Sequence, residues 1–362
     1  MARQPLRMRF RSLLQCVLVV VACIASGTLE CGGIVPTVAE RRGAQLYTRM
    51  CVVCHAADGR GYAADQAPAL GNQNFLASVS DEFLRNAIAN GRTGSTMSAW
   101  SRGHGGPLSN EDIETLVGSL HAWRERPRVV LDEGPLIGDA GRGAGVFARE
   151  CARCHGPEGT GGPFIHIGNV DLLSTASNGF LRYATREGRT GTAMAGFASS
   201  LGNGAIDDVV ALMRTWQTHL ASVPRPVPPK PPPIPLGPVP LNPRGPEPMG
   251  FHATPATTPA DVIKAQLDRR AKMAVLDARA PSDYLNEHIA GAVSVPFYDP
   301  DPYVAQLPRD AWLVCYCACP HAESGTLAQK LAANGFTKVT VLDEGLGVWK
   351  SRKYATHTGV DP

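Results

Sequence analysis

The feature that most constrains this 362-residue chain is that part of it is written twice. Gly43-Ala44-Gln45-Leu46-Tyr47 followed by Cys51-Val52-Val53-Cys54-His55 returns 100 positions later as Gly143-Ala144-Gly145-Val146-Phe147 followed by Cys151-Ala152-Arg153-Cys154-His155. The offset then becomes 97: Gly71-Asn72 pairs with Gly168-Asn169, Phe83-Leu84-Arg85 with Phe180-Leu181-Arg182, and Gly91-Arg92-Thr93-Gly94 with Gly188-Arg189-Thr190-Gly191. Self-similarity at a fixed period implies one structural unit used twice. Each unit is expected to be mainly α-helical. The last helix of the first starts at the N-cap residues Ser109-Asn110 and carries Ile113, Leu116, Val117 and Leu120 at helical spacing. Its counterpart is expected from about Ala205 to Leu220.

The two C-x-x-C-H strings state the chemistry. Residues three apart on a helical turn share a face, so Cys51 with Cys54, and Cys151 with Cys154, can reach one edge of a planar group, while His55 and His155 turn an imidazole toward its centre. One C-x-x-C alone would suit zinc or a redox disulfide. Two copies, each closed by His, are the attachment pattern of c-type haem through thioethers. The expected cofactors are therefore two covalently bound haem c groups. The Met residues at matching positions of both repeats are Met97 (GRTGSTMSAW) and Met194 (GRTGTAMAGF), each three residues before an aromatic, and these are the candidate second iron ligands. Methionine ordinarily fills gaps in cores, and Met50 and Met213, which have no counterpart, are read that way. A thioether ligand favours ferrous iron and raises the potential, so iron bound by His55 and Met97, or by His155 and Met194, is suited to passing single electrons.

On these residues, 38–126 and 137–221 resemble two class I cytochrome c domains. Ala67-Pro68-Ala69-Leu70 is similar to the family's proline loop, whose carbonyl orients the His ligand. The second repeat has Ile165-His166-Ile167 there, which leaves the support of His155 open.

Thirteen of the 25 residues from Pro224 to Pro248 are proline, a composition that excludes helix and sheet interior and predicts an extended spacer over 222–252, about 78 Å long from Pro224 to Pro248 if fully drawn out. Beyond it, 254–357 alternates helical and strand-like runs: a helix near 260–270, strands at Met273–Leu276, Trp312–Tyr316 and Val339–Leu342, and a helix over 324–334. The expected architecture is multidomain, with two all-α cytochrome c domains followed by a Pro-rich linker and an α/β domain. Leu276-Asp277-Ala278-Arg279, then Tyr284 and His288-Ile289-Ala290-Gly291-Ala292, then Trp312 to Cys317, then Asp343 to Trp349 resemble, in order, the motifs of the rhodanese family. That resemblance implies that Cys317 carries a persulfide, in a loop whose amides and following helix favour an anionic sulfur. The loop departs from the family in lacking the usual Arg. His321 stands there, and Glu323 would oppose an anionic donor such as thiosulfate. Cys315 is read as core, Cys319 as a loop residue, and Asp277, Arg279 and His288 as supports of the fold.

The amino terminus reads as an export signal over 1–30: Arg3, Arg7, Arg9 and Arg11, then an apolar run from Leu13 to Ala25, too short to span a bilayer comfortably. Val20-Val21-Ala22-Cys23 resembles a lipidation site at Cys23. Cleavage near Ser26 or Gly27, or an uncleaved anchor, are the alternatives. These 30 residues account for the whole formal charge of +3, so the neutral remainder gives no case for nucleic acid. The expectation is a periplasmic protein, attached to the membrane if Cys23 is lipidated or the segment stays uncleaved, that exchanges electrons with redox partner proteins and handles a reduced sulfur compound. Its alternatives are an electron-carrier subunit with an inactive rhodanese-like docking domain, and a sulfurtransferase tethered to an independent cytochrome.

Overall fold

The computed structural model of the protein describes residues 37–64, 66–221, 238–318 and 321–362. The export segment, Cys16, Cys23, Cys31, most of the Pro-rich stretch and Cys319 lie outside the described residues. Among the described residues no helix is long and apolar enough to cross a membrane.

The first repeat is built from α1 (Val38–Met50), α2 (Val52–His55), α3 (Gln73–Ser78), α4 (Asp81–Asn90) and α5 (Asn110–Ala122). The second repeats the series as α6 (Ala140–Glu150), α7 (Ala152–His155), α8 (Val170–Thr175), α9 (Asn178–Glu187) and α10 (Asn203–Ala221). Starts are set locally by the same signals in both. Asn72 and Asn169 cap α3 and α8, and Ser80 and Ser177 cap α4 and α9, each side chain accepting from amides of the first turn. Ser109 forms a full capping box with Asp112 at the head of α5.

Helix α10 packs along α6, and the close approach depends on glycine. A Cβ on Gly43 would lie 2.9 Å from the Thr115 carbonyl oxygen of α5, and one on Gly143 would lie 2.0 Å from that of Asp208 in α10. The duplicated glycines thus mark where the first and last helices of each repeat touch. Beside them Tyr47 meets Trp123, and Phe147 meets Trp216, edge to face with centroids 4.8 and 4.9 Å apart.

The carboxy-terminal module has strands β1 (Thr257–Thr258), β2 (Met273–Asp277), β3 (His288–Ile289), β4 (Ala292–Ser294), β5 (Trp312–Tyr316), β6 (Val339–Leu342) and β7 (Thr356–His357), with helices α11 (Ala260–Asp268), α12 (Pro281–Asn286), α13 (Asp301–Val304), α14 (Ala322–Ala333) and α15 (Gly345–Ser351). Five strands form a parallel sheet in the order β1-β6-β5-β2-β4, and β3 pairs with β7 in a separate antiparallel ribbon. Both sheet faces are covered, as a parallel sheet requires. Leu313 and Cys315 join the layer of Leu327 and Leu331 from α14, while Val314 and Tyr316 join Ile263 and Trp349 on the other side. The α14 layer is continuous with the buried apolar residues of the two repeats. Residues 238–252 form no helix or strand and lie against the module: Asn242 Nδ2 donates to the Arg270 carbonyl at 2.7 Å, and Phe251 packs on Trp312.

Candidate functional site

Each C-x-x-C-H string forms a single helical turn whose His is buried. His55 Nδ1 lies 2.9 Å from the Pro68 carbonyl oxygen and His155 Nδ1 lies 3.0 Å from that of Ile165. A carbonyl only accepts, so Nδ1 carries the hydrogen and Nε2 is left with its lone pair free for a metal. The support of His155, left open by the Ile165-His166-Ile167 departure, is therefore a backbone oxygen in the same role, and no proline is needed for it. Burial pushes both imidazoles below their ordinary pKa, opposed by these carbonyl bonds, which favours the neutral ligand form. Burial also pushes the Cys51 thiol up to about 12 and, with Glu150 and Cys154 adding to it, the Cys151 thiol up to about 11. At neutral pH both are held as thiols. Among the described residues no three His, Cys, Asp or Glu side chains converge as a metal cage.

Met97 and Met194 follow the Gly-Arg-Thr-Gly turns as expected, and their backbones are held alike. Arg92 N–H donates to the Met97 carbonyl at 2.9 Å and Arg189 N–H to that of Met194 at 2.8 Å. Both methionines are half-buried. Met50 and Met213 are core residues.

The repeats face each other in a near-reciprocal way. Asn74 Nδ2 donates to Thr190 Oγ1 at 3.1 Å, and its counterpart Asp171 accepts from Thr93 N–H at 2.8 Å. Phe83 and Phe180, equivalent positions, meet with centroids 5.2 Å apart. The loops that follow the two strings touch through Tyr62 and Phe164, 5.6 Å apart. Over the paired phenylalanines lie Arg92, 4.8 Å from Phe83, and Arg189, 5.5 Å from Phe180.

These arginines were missed from sequence, although their repetition at the 97-residue offset was visible. Burial pushes both guanidinium groups down to about 10, against the pull of Asp171 on Arg92 and of Tyr183 and Tyr62 on Arg189. Among the described residues neither forms an ion pair, and the side-chain hydrogen bond found for the two is Arg189 Nη1 to the Gly188 carbonyl at 3.3 Å. A guanidinium has five donors and is costly to bury without an anion. The residues present therefore fit haem c: paired thiols, an imidazole with its lone pair available, a thioether-bearing loop, and half-buried arginines that could pair with the group's carboxylates.

Cys317 stands one residue beyond β5, wholly buried at 0% exposure, with Sγ 3.3 Å from Ser324 Oγ in the first turn of α14. Its carbonyl accepts from Leu346 N–H at 2.9 Å, which ties the loop to α15. Helix α14 runs from this loop and packs against α2, the turn that carries Cys54 and His55. Glu323 is buried beside the sulfur; burial first, then Cys317, hold its carboxyl well above the usual range, favouring the protonated acid. His321 caps α14 in a left-handed conformation, φ 72°, and turns its Nε2 to Asp343 Oδ1 at 3.0 Å, away from the role of the missing Arg.

Cys315 is core, and burial pushes its thiol up. Asp277 accepts from Arg279 and from the Tyr316 hydroxyl, both at 2.6 Å, and His288 stacks on Tyr284 at 3.7 Å. These groups are spent on the fold.

Comparison with known proteins agrees with this division. The family model described as cytochrome C oxidase, cbb3-type, subunit III matches residues 38–118 and again 138–213, and the rhodanese-like domain model matches 259–352. The HTH-type transcriptional regulator Rv0324 of Mycobacterium tuberculosis is 29% identical over 97 residues, 26% of this chain and 43% of that protein, so the chain spans less than half of that relative. The rhodanese-like domain of an Anabaena protein is 28% identical over 29% of this chain and 80% of its own, with a TM-score of 0.27. A thiosulfate sulfurtransferase from Pseudomonas aeruginosa is 28% identical over 29% of this chain and 21% of its own, also at 0.27. A chain of the reducing HAO-like protein complex of Kuenenia stuttgartiensis is 21% identical over 49% of this chain and 96% of its own, at 0.33.

Proposed function

We infer the function from one premise: this chain joins cytochrome c-type domains in its amino-terminal region to a rhodanese-like domain at its carboxy terminus. On that premise we propose an exported, periplasmic dihaem c-type cytochrome that transfers single electrons and is coupled to a sulfur-handling module, with Cys23 or an uncleaved segment as its membrane attachment. Cys51 and Cys54 hold the first haem, with His55 and Met97 on its iron. Cys151 and Cys154 hold the second, with His155 and Met194. Cys317 takes up sulfur as a persulfide. When bound, each haem c would supply a one-electron couple, so two of them would match the electron pair released when the Cys317 thiol and a hydrosulfide join as an anionic persulfide with loss of two protons.

The observation that carries this reading is that α14, which starts at the Cys317 loop, packs against the Cys54–His55 turn. The helix that follows the Cys317 loop is thus in contact with the turn that would hold the first haem. The test is the visible spectrum of the oxidised protein, purified from cells that mature c-type cytochromes, before and after addition of sulfide. Ferrous bands that appear with wild type and are lost in Cys317→Ser support the coupled device. Haems that answer only generic reductants, with no added sulfur mass at Cys317, overturn it.

One set of facts favours a second reading. Cys317 has no exposed surface, Glu323 is buried beside it, and His321 is engaged by Asp343. On this reading the module is an inactive docking domain of an electron carrier that serves redox partner proteins.

A further inference from the structure

The two methionine segments share a backbone and differ in what lies beside them. In each, the methionine N–H donates to a side-chain oxygen two residues earlier, Ser95 Oγ at 3.2 Å or Thr192 Oγ1 at 3.1 Å. In each, the following aromatic is tied to the preceding helix, Trp100 N–H to the Ile88 carbonyl at 3.0 Å and Phe197 N–H to that of Thr185 at 3.1 Å. There the equivalence ends. Ser98 is buried and donates to Asp283 Oδ2, while Ser282 Oγ donates to the Ala99 carbonyl at 2.7 Å. Two consecutive side chains at the start of α12 thus hold the two residues that follow Met97. Trp100 packs on Tyr298 at 5.5 Å, and Arg49 donates to the Tyr298 carbonyl at 2.9 Å and pairs with Asp299 at 2.8 Å, which fixes the surrounding contact. In the second repeat Ala195 and Gly196 are exposed.

We propose that Ser282 and Asp283 of the carboxy-terminal module are positioning residues for Met97, clamping its segment so that the thioether is held toward the first haem, with no such clamp on Met194 among the described residues. The inference rests on the reading that Met97 is the ligand. An iron–thioether bond is weak and depends on where the loop is held, and thioether ligation raises the potential. Loss of the clamp therefore lowers the potential of one centre and leaves the other unchanged. Asp283 touches no reacting atom and acts through Ser98.

The experiment uses the full-length holoprotein and reads the red absorption band that marks a methionine–ferric iron bond, together with a redox titration resolving both centres. Met97→Leu is expected to lose the first haem's share of the band. Ser98→Ala and Asp283→Ala are expected to lose part of that same share and to shift one redox wave downward. Asp283→Asn, which keeps an acceptor for Ser98, is expected to retain both signals. Ser98→Ala lies outside the carboxy-terminal module, so misfolding of that module cannot imitate its effect. Band and waves unchanged in Ser98→Ala and Asp283→Ala, with the share lost in Met97→Leu, overturn the clamp. A full band in Met97→Leu overturns the ligand assignment itself, and the clamp with it.

Discussion

Asn72 donates through Nδ2 to the Thr190 carbonyl at 2.9 Å, and the equivalent Asn169 returns the bond to the Thr93 carbonyl at 2.8 Å. Each asparagine also caps a helix through its side-chain oxygen. One residue type at one repeated position thus starts a helix and joins the two halves.

That double duty can be separated. Asn72→Ser keeps a capping oxygen but cannot reach across, and is expected to cost about 1 kcal/mol, the net worth of one hydrogen bond. Asn72→Ala loses the cap as well and is expected to cost about 2 kcal/mol. Denaturant unfolding followed in the haem absorption measures both; an Asn72→Ser variant as stable as wild type would show that the cross-repeat bond contributes nothing, and equal costs for the two variants would show the same of the cap.

The attachment strings predict a count. Cys51→Ser with Cys54→Ser is expected to halve the covalently bound haem, as read by mass and by haem content per chain, while Met194 ligation in the other repeat persists in the spectrum. Full haem content would place the attachment elsewhere.

The arginines over Phe83 and Phe180 predict a shift in potential. A nearby cation stabilises the electron-rich ferrous state, so Arg92→Gln or Arg189→Gln is expected to lower a midpoint potential by on the order of tens of millivolts, as a partly screened charge would. A titration that leaves both waves in place would remove these residues from the haem surroundings.

Glu323 predicts a pH dependence of stability. Its folded pKa is raised above the ordinary 4.5, by burial first. The folded state then binds the proton more tightly than the unfolded state, so the stabilisation is complete below that ordinary value and is lost as pH rises toward the folded pKa. The limiting slope is about 1.4 kcal/mol per pH unit for one proton. Glu323→Gln is expected to flatten this loss between the ordinary carboxylate range and neutrality. Parallel curves for wild type and variant would show that the carboxyl is solvated.

Much of this was legible because it is local or repeated. The cap at Ser109, the C-x-x-C-H turns and the strands Trp312–Tyr316 and Val339–Leu342 follow from nearby residues and from period. The His155 support looked uncertain only because a side-chain signal, proline, was sought for a task that the Ile165 backbone performs. The grip of Ser282 and Asp283 on Ala99 and Ser98 joins residues more than 180 positions apart, and neither serine differs in sequence from an ordinary helix-start or loop residue. The burial of Glu323 escaped notice for a related reason. Its neighbour Cys317 is close in sequence, but the other charged groups that act on it, Asp283, Arg279 and Asp277, come from positions about 40 residues earlier.

Duplication by itself yields interchangeable halves, and an interchangeable pair has no sense of direction. The carboxy-terminal module covers the Ser98–Trp100 stretch and leaves Ala195 and Gly196 open. An approaching protein that seeks this edge therefore finds it on one half alone, and a molecule with near-twofold internal symmetry acquires a front and a back.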